Sequence, residues 1–233
     1  MAENSLHAGL KNYLQLPGDK IEYPIESYII DIVRENTLFE IQTKNFYALK
    51  PKLSKLLANY PIHIVYPIPL QKWIRRLDGD KIPTQRRKSP KHGSIYHIFN
   101  QLVYLTDFLA HSNLFIDVFL IEQEDIWLND GKGSWRRKGW SLTDQHLLRV
   151  VDKMEFSEPG DYIGLIPQNT PEVFRNIDLA ASAKIPVSLA GKMTYTLLRA
   201  GILAHTGKAG KTNLFSLKSQ DGYTVSDNPV IGQ

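Results

Sequence analysis

At 233 residues, with a normal apolar fraction and plentiful aromatics, the chain is long enough for one large domain or two ordinary ones. No run approaches the ~18 continuous apolar residues of a membrane span. The opening MAENSLHAGLKNYL lacks the basic-then-apolar layout of a secretory signal. Cysteine is absent, which excludes disulfides, thiolate metal centres and a cysteine nucleophile, and a cytoplasmic protein is the plain expectation.

In chain order, NSLHAGLKNYL places Leu6, Leu10 and Tyr13–Leu14 at helical spacing, and LPGD stops the helix. KIEYPIESYIIDIV is extended, RENT is a turn, and LFEIQT is a second strand. FYALKPKLSKLLANY carries Leu49, Leu53, Leu56 and Leu57 on one helical face, with Pro51 tolerable only in the first turn. PIHIVYPI has the continuous apolar character of a central strand. Further on, SIYHIFNQLVYLTDFLA predicts a helix and LFIDVFLIEQEDIW a long strand. GKGSWRRKGWSL reads as a turn into a short strand, and TDQHLLRVVDKM fits helix or strand. SEPGD and PQNTPE mark candidate boundaries, and SQDGYTVSDNPVIGQ reads as a frayed tail.

The net charge of +4 is unevenly spread. Basic residues dominate from Lys72 to Lys91, including Arg86 and Arg87. They recur in KGSWRRKGW, where Trp135 and Trp140 bracket Arg136 and Arg137. From Lys184 to Lys218 no acid occurs at all. Segregated basic patches point to a polyanionic partner, nucleic acid first. Solvated faces are the alternative for any one patch.

Two carboxylates stand inside apolar strands: Asp31 in YIIDIV and Glu40 in LFEIQ. Strand periodicity puts Glu40, Gln42 and Lys44 on one face, and the short turn brings Asp31 beside Glu40. Two neighbouring carboxylates repel unless a cation separates them. That cation is either a metal such as Mg²⁺, which takes a few hard oxygen ligands, or a side chain such as Lys44 or Arg34.

The order helix, hairpin, helix, strand, with Asp31 followed by Glu40-Ile41-Gln42, resembles the core of the PD-(D/E)XK nuclease superfamily. The resemblance implies an α/β, restriction-endonuclease-like mixed sheet flanked by helices. It implies Mg²⁺ or Mn²⁺ held by Asp31 and Glu40, with Glu22 or Glu3 as an additional acid. Gln42 stands where the superfamily has Lys, and Lys44, further along the same face, is the candidate to restore the charge. His7 on the first helix is a further neighbour of such a site, or a satisfied, partly buried histidine.

NIDLAASAKIPVSLAGKMTYTLLRAGILAHTGKAGKTNLFSL reads as helix, turn, helix, hairpin, with Asn176 and Ser188 as caps and Leu189, Met193 and Leu197 on one buried face. Lys192, Thr196 and Arg199 lie on another. This segment resembles a winged helix-turn-helix domain. The resemblance implies that the second helix enters a DNA major groove while Lys208 and Lys211 on the wing meet phosphates. The whole chain is similar to an uncharacterised bacterial family in which a nuclease-like domain precedes a winged helix.

The organisation expected is a nuclease-like domain over 1–155 (core 1–70, basic and strand extension 71–155), a winged helix over 156–218 and a tail over 219–233. The functional expectation is a metal-dependent endonuclease acting on duplex or branched DNA, as a homodimer if both strands are cut. The alternatives are a catalytically inactive nuclease fold serving as a DNA-binding regulator or accessory subunit, and a module for protein interaction.

Overall fold

A computed structural model describes residues 5–77, 83 and 85–218. The chain forms two compact units, divided between Glu158 and Pro159. No helix among the described residues is long and apolar enough to cross a membrane.

The first unit is a mixed sheet flanked by helices. Helix α1 (Ser5–Leu14) precedes an antiparallel meander of β1 (Lys20–Ile25), β2 (Tyr28–Arg34) and β3 (Thr37–Ile41). Helix α2 (Lys50–Leu56), with Pro51 harmlessly in its first turn, then returns the chain to β4 (Ile62–Leu77), which lies parallel to β3. A two-residue strand, β5 (Arg87–Lys88), pairs with the far half of β4. After a helical turn, α3 (Phe99–Leu102), come β6 (Leu114–Asn129), parallel to β4, and β7 (Trp140–Phe156), antiparallel to β6. The strand order is β1-β2-β3-β4-β6-β7.

Both faces of the central strands are covered, as their continuous apolar sequence requires. On one face Leu6 and Leu10 of α1 pack with Ile32, Phe39, Ile41, Val65, Phe119 and Ile121. Gly9 lets α1 approach closely, since a Cβ there would stand 3.0 Å from that of Leu147 on β7. On the other face lie Ile62, Ile64, Ile116 and Val118, each at most 1% exposed. There Phe46 meets Tyr66 edge-on at 5.2 Å. Strands β4, β6 and β7 continue beyond this core as a ribbon. Sixteen residues of β6 span about 50 Å at ~3.3 Å per residue, more than the core can cover.

Two sequence expectations change here. The helix expected over 94–110 is a 3-10 turn (Ile95–Ile98) and one α-turn, because the buried Ile98, Leu102 and Leu105 need only a three-to-four-residue repeat, which tight turns also supply. The short strand and the ambiguous TDQHLLRVVDKM are one strand of 17 residues. Its register shifts near Leu148 and Val151, and such a bulge returns Leu147 and Val150 to the same face three residues apart. A bulged strand thereby imitates helical spacing.

In the second unit, α4 (Asn176–Ala183) and α5 (Val187–Arg199) are joined by a three-residue turn in which Lys184 takes φ 52°. A hairpin follows, β8 (Leu203–Ala209) and β9 (Thr212–Leu217), after Gly201 ends α5 at φ 77°. Phe174, Leu179, Leu189, Met193, Leu197 and Phe215 are buried. The caps differ from expectation. Pro186, not Ser188, precedes α5, and Asn176 lies inside α4, where its Oδ1 accepts from Thr194 Oγ1 at 2.7 Å. Asp178 takes the terminal role at α4 by accepting the Arg175 amide at 2.8 Å.

Candidate active site

Strands β2 and β3 pair antiparallel through Ile32↔Phe39, so Asp31 and Glu40 are the next residues opposite one another. There the ladder changes partners. The Ile41 amide donates to Asp31 Oδ2 at 2.8 Å, and the Gln42 amide bonds to Val65 O. His7 Nε2 of α1 stands 3.2 Å from the same Asp31 oxygen. Asp31 is thus held from the strand and from the helix.

Glu40 is half of an ion pair with Lys52 of α2, whose Nζ lies 2.7 Å from Oε1. Lys52 also donates to Ile29 O at 3.1 Å. The second Glu40 oxygen, Oε2, is buried with no hydrogen-bond partner among the described residues. Burial raises the Glu40 carboxyl to about 7, against the pull of Lys52 and with added repulsion from Asp31. An orphaned carboxylate oxygen beside a second carboxylate fits a hard cation. Asp31 and Glu40 suit Mg²⁺ or Mn²⁺, which keep several waters and need only one or two protein carboxylates.

The other expected members of this cluster fall out differently. Lys44 does not extend the strand face, because β3 ends at Ile41 and Asn45 turns the chain at φ 60° into a 3-10 turn. Lys44 is exposed. Gln42 is half-buried at the strand exit, 3.5 Å from Asn45 O. Arg34 forks onto Asp19 at 2.9 and 2.8 Å, which holds the Asp19 carboxyl below its usual range. Glu22 lies on β1 between the pairs Ile21↔Ile32 and Tyr23↔Ile30, but it adopts φ 48°, its side chain is 59% exposed, and Lys11 pairs with it at 2.6 Å. Glu3 lies outside the described residues.

Lys52 is the residue that sequence periodicity missed. It sits in the first turn of α2 and reaches β3 only because the crossover helix packs on that side of the sheet. Its place in KPKLSKLL, one residue before the buried Leu53, was the only available signal. A second cluster was also missed: His63, Asp117 and Glu155, from β4, β6 and β7, offer ligand atoms within 4.8 Å of one another. There His63 Nδ1 is 2.9 Å from Asp117 Oδ2, and its ring is stacked on Phe39 and Phe115 at 4.8 and 4.4 Å.

The basic positions differ in exposure and in what they meet. Arg86 lies 3.1 Å from Glu124 and over Trp73, so its charge is largely met within the protein. Arg87 is exposed. Arg136 covers the ring of Trp135, itself 83% exposed, and Arg137 covers Trp127. On α5, Lys192, Tyr195 and Arg199 are exposed. Thr196 is buried at 0%, so Tyr195 takes the surface place expected for it. Lys208 and Lys211 are exposed on either side of the hairpin turn, where Gly210 has φ 62°.

No solved structure matches the chain. An uncharacterized protein of Treponema pallidum (strain Nichols) is 33% identical over 214 residues, covering 91% of this chain and 84% of that protein. Residues 4–157 match a domain of unknown function, DUF8091, and that span takes in the whole sheet with Asp31, Glu40 and Lys52. The chain belongs to the DUF8091 family.

Proposed function

We propose that the protein is a Mg²⁺- or Mn²⁺-dependent nuclease that hydrolyses DNA phosphodiesters. The observation that carries this reading is the neighbouring pair Asp31 and Glu40, with Lys52 on one Glu40 oxygen and the other, Oε2, buried without a hydrogen-bond partner among the described residues. The order of α1, the antiparallel meander, α2 and the parallel β4 supports a restriction-endonuclease-like core. Asp31 and Glu40 hold the ion, which when bound acidifies a water and stabilises charge on the phosphate under attack. Lys52 fixes Glu40 and supplies the cation that Gln42 lacks at the strand position. His7 positions Asp31, and Gln42 offers an amide at the strand exit.

The second unit reads as a winged helix, with Lys192, Tyr195 and Arg199 on α5 as the groove face and Lys208 and Lys211 on the wing. Cutting both strands needs two active sites and hence a homodimer. The test is incubation of the protein, Asp31→Ala and Glu40→Ala with linear, circular and branched DNA under Mn²⁺, Mg²⁺ or EDTA. Cleavage that requires metal and disappears in both variants is the expected result.

One observation favours a second reading. The Lys52 ammonium already neutralises Glu40 internally at 2.7 Å, as in a nuclease fold kept as a DNA-binding scaffold. DNA binding without cleavage, with no Mn²⁺ bound at Asp31 and Glu40 by electron paramagnetic resonance, selects that regulator or accessory role.

A further inference from the structure

The ribbon that β4, β6 and β7 extend beyond the core sorts its arginines by face. Registers Trp73↔Glu124 and Arg75↔Ile126 put Trp73, Arg75, Glu122 and Glu124 on one side. There every arginine meets an acid. Arg75 and Arg86 lie 3.2 and 3.1 Å from Glu124, and Arg149 lies 2.7 Å from Glu122. The pairs Ile74↔Arg87 and Arg76↔Trp127 define the opposite side.

On that side Ile74, Arg76, Arg87, Trp127, Arg137 and Trp140 line an open groove of about 170 Å³. Among the described residues no carboxylate lines it and none forms an ion pair with Arg76, Arg87 or Arg137. The acid two places down β6, Asp125, is buried and accepts from Gln123 and Gln145. Two of the three guanidinium groups rest on the groove's own indoles: Arg76 is 4.7 Å from the Trp140 ring centroid and Arg137 is 5.1 Å from that of Trp127. A ring face takes up no N–H donor of the fork in a conventional hydrogen bond, so each guanidinium is held in place with donors left for an anion. Three exposed cations gathered with no counter-charge among the described residues repel one another, and a bound anion relieves that repulsion.

We infer that this groove is a phosphate subsite, and that its ligand is a phosphodiester of a nucleic-acid strand lying along the ribbon. The groove is smaller than the ~300–1,000 Å³ of a whole-ligand pocket, which suits one phosphate and part of its sugar rather than a free nucleotide. Planar, forked arginines match phosphate oxygens two at a time. The inference rests on the nucleic-acid half of the proposed function and is independent of metal at Asp31 and Glu40.

The experiment measures affinity of the full chain for a fluorescent single-stranded and a duplex oligonucleotide in EDTA, by anisotropy, at two salt concentrations. Arg76→Ala and Arg137→Ala should each weaken binding roughly tenfold, the scale of removing one charge-assisted hydrogen bond. Arg137→Lys should recover only a small part of that affinity, because an ammonium keeps the charge but has no fork. Arg75→Ala and Arg149→Ala, on the neutralised face, should change affinity less than twofold. Thermal unfolding of each variant separates weakened binding from impaired folding. Equal losses on both faces, or full rescue by Arg137→Lys, overturn the subsite in favour of diffuse attraction. Cleavage assays on the same proteins keep the two proposals apart. Undiminished affinity in the groove variants with metal-dependent cleavage intact removes the groove alone. Groove-dependent binding without any cleavage supports the groove and removes the nuclease.

Discussion

Glu40 and Arg137 are single charges in one unit, handled in opposite ways. Glu40 is enclosed, with Lys52 on one oxygen and no hydrogen-bond partner among the described residues on the other, and burial lifts its carboxyl to about 7. Arg137 is exposed beside the ribbon, stacked on an indole and open to water. In the enclosed site each charge is coupled to two or three others, so removing one disturbs all. On the ribbon the charges are reached by water and salt, so removing one groove arginine weakens grip on an anion while leaving the enclosed carboxylates undisturbed. A few buried groups suit chemistry; many exposed ones suit grip.

The sharpest way to break this contrast is at the carboxylates. Asp31→Ala and Glu40→Ala should each reduce metal-dependent cleavage by at least about a hundredfold, read as initial rates on supercoiled DNA. Retained cleavage in either variant places the chemistry elsewhere.

Stability offers the next test along the sheet. Ile64→Ala in the closed half of β4, at 0% exposure, should cost about 3 kcal/mol in urea unfolding, for the forfeited transfer energy plus a cavity. Leu142→Ala on the ribbon, 39% exposed, should stay within about 0.5 kcal/mol.

The Glu40 carboxyl predicts a pH effect of definite sign. Its folded value, about 7, lies above the ordinary 4.5, so the folded protein binds the proton more tightly. The associated stability is complete below pH 4.5 and lost as pH rises to about 7, an amount of about 2–3 kcal/mol. Measured in EDTA between pH 5 and 8, Glu40→Gln should lack most of that decline. Parallel curves for the two proteins would show that Glu40 titrates normally.

The smallest effect belongs to the hairpin of the second unit. Lys208→Ala with Lys211→Ala should weaken duplex binding a few-fold and lower the magnitude of the salt slope by roughly one for each phosphate no longer neutralised. Metal binding should not change. Unaltered affinity would favour protein docking for this unit.

Particular elements show how far the sequence was readable. The adjacency of Asp31 and Glu40 follows from strand periodicity and a short turn, and both are local properties. The buried face of α5 at Leu189, Met193 and Leu197 is equally local. Lys44 misled because periodicity assumes the strand continues, whereas Asn45 turns the chain. Lys52 carried only the faint signal of its place before Leu53, because its role depends on the side of the sheet onto which α2 folds. The 17-residue β7 was obscured by bulges that gave it helical spacing.

By itself the sequence determined which segments could be buried, where turns fall, and that its basic residues come in groups with few acids. Those are matters of residue type and short-range period. Tertiary structure alone decided which cation meets Glu40, which oxygen is left unpaired, and which arginines face Glu122 and Glu124 rather than open water. These depend on strand register and on the side of the sheet that each crossover takes, and a one-residue slip in register exchanges the two faces of a strand.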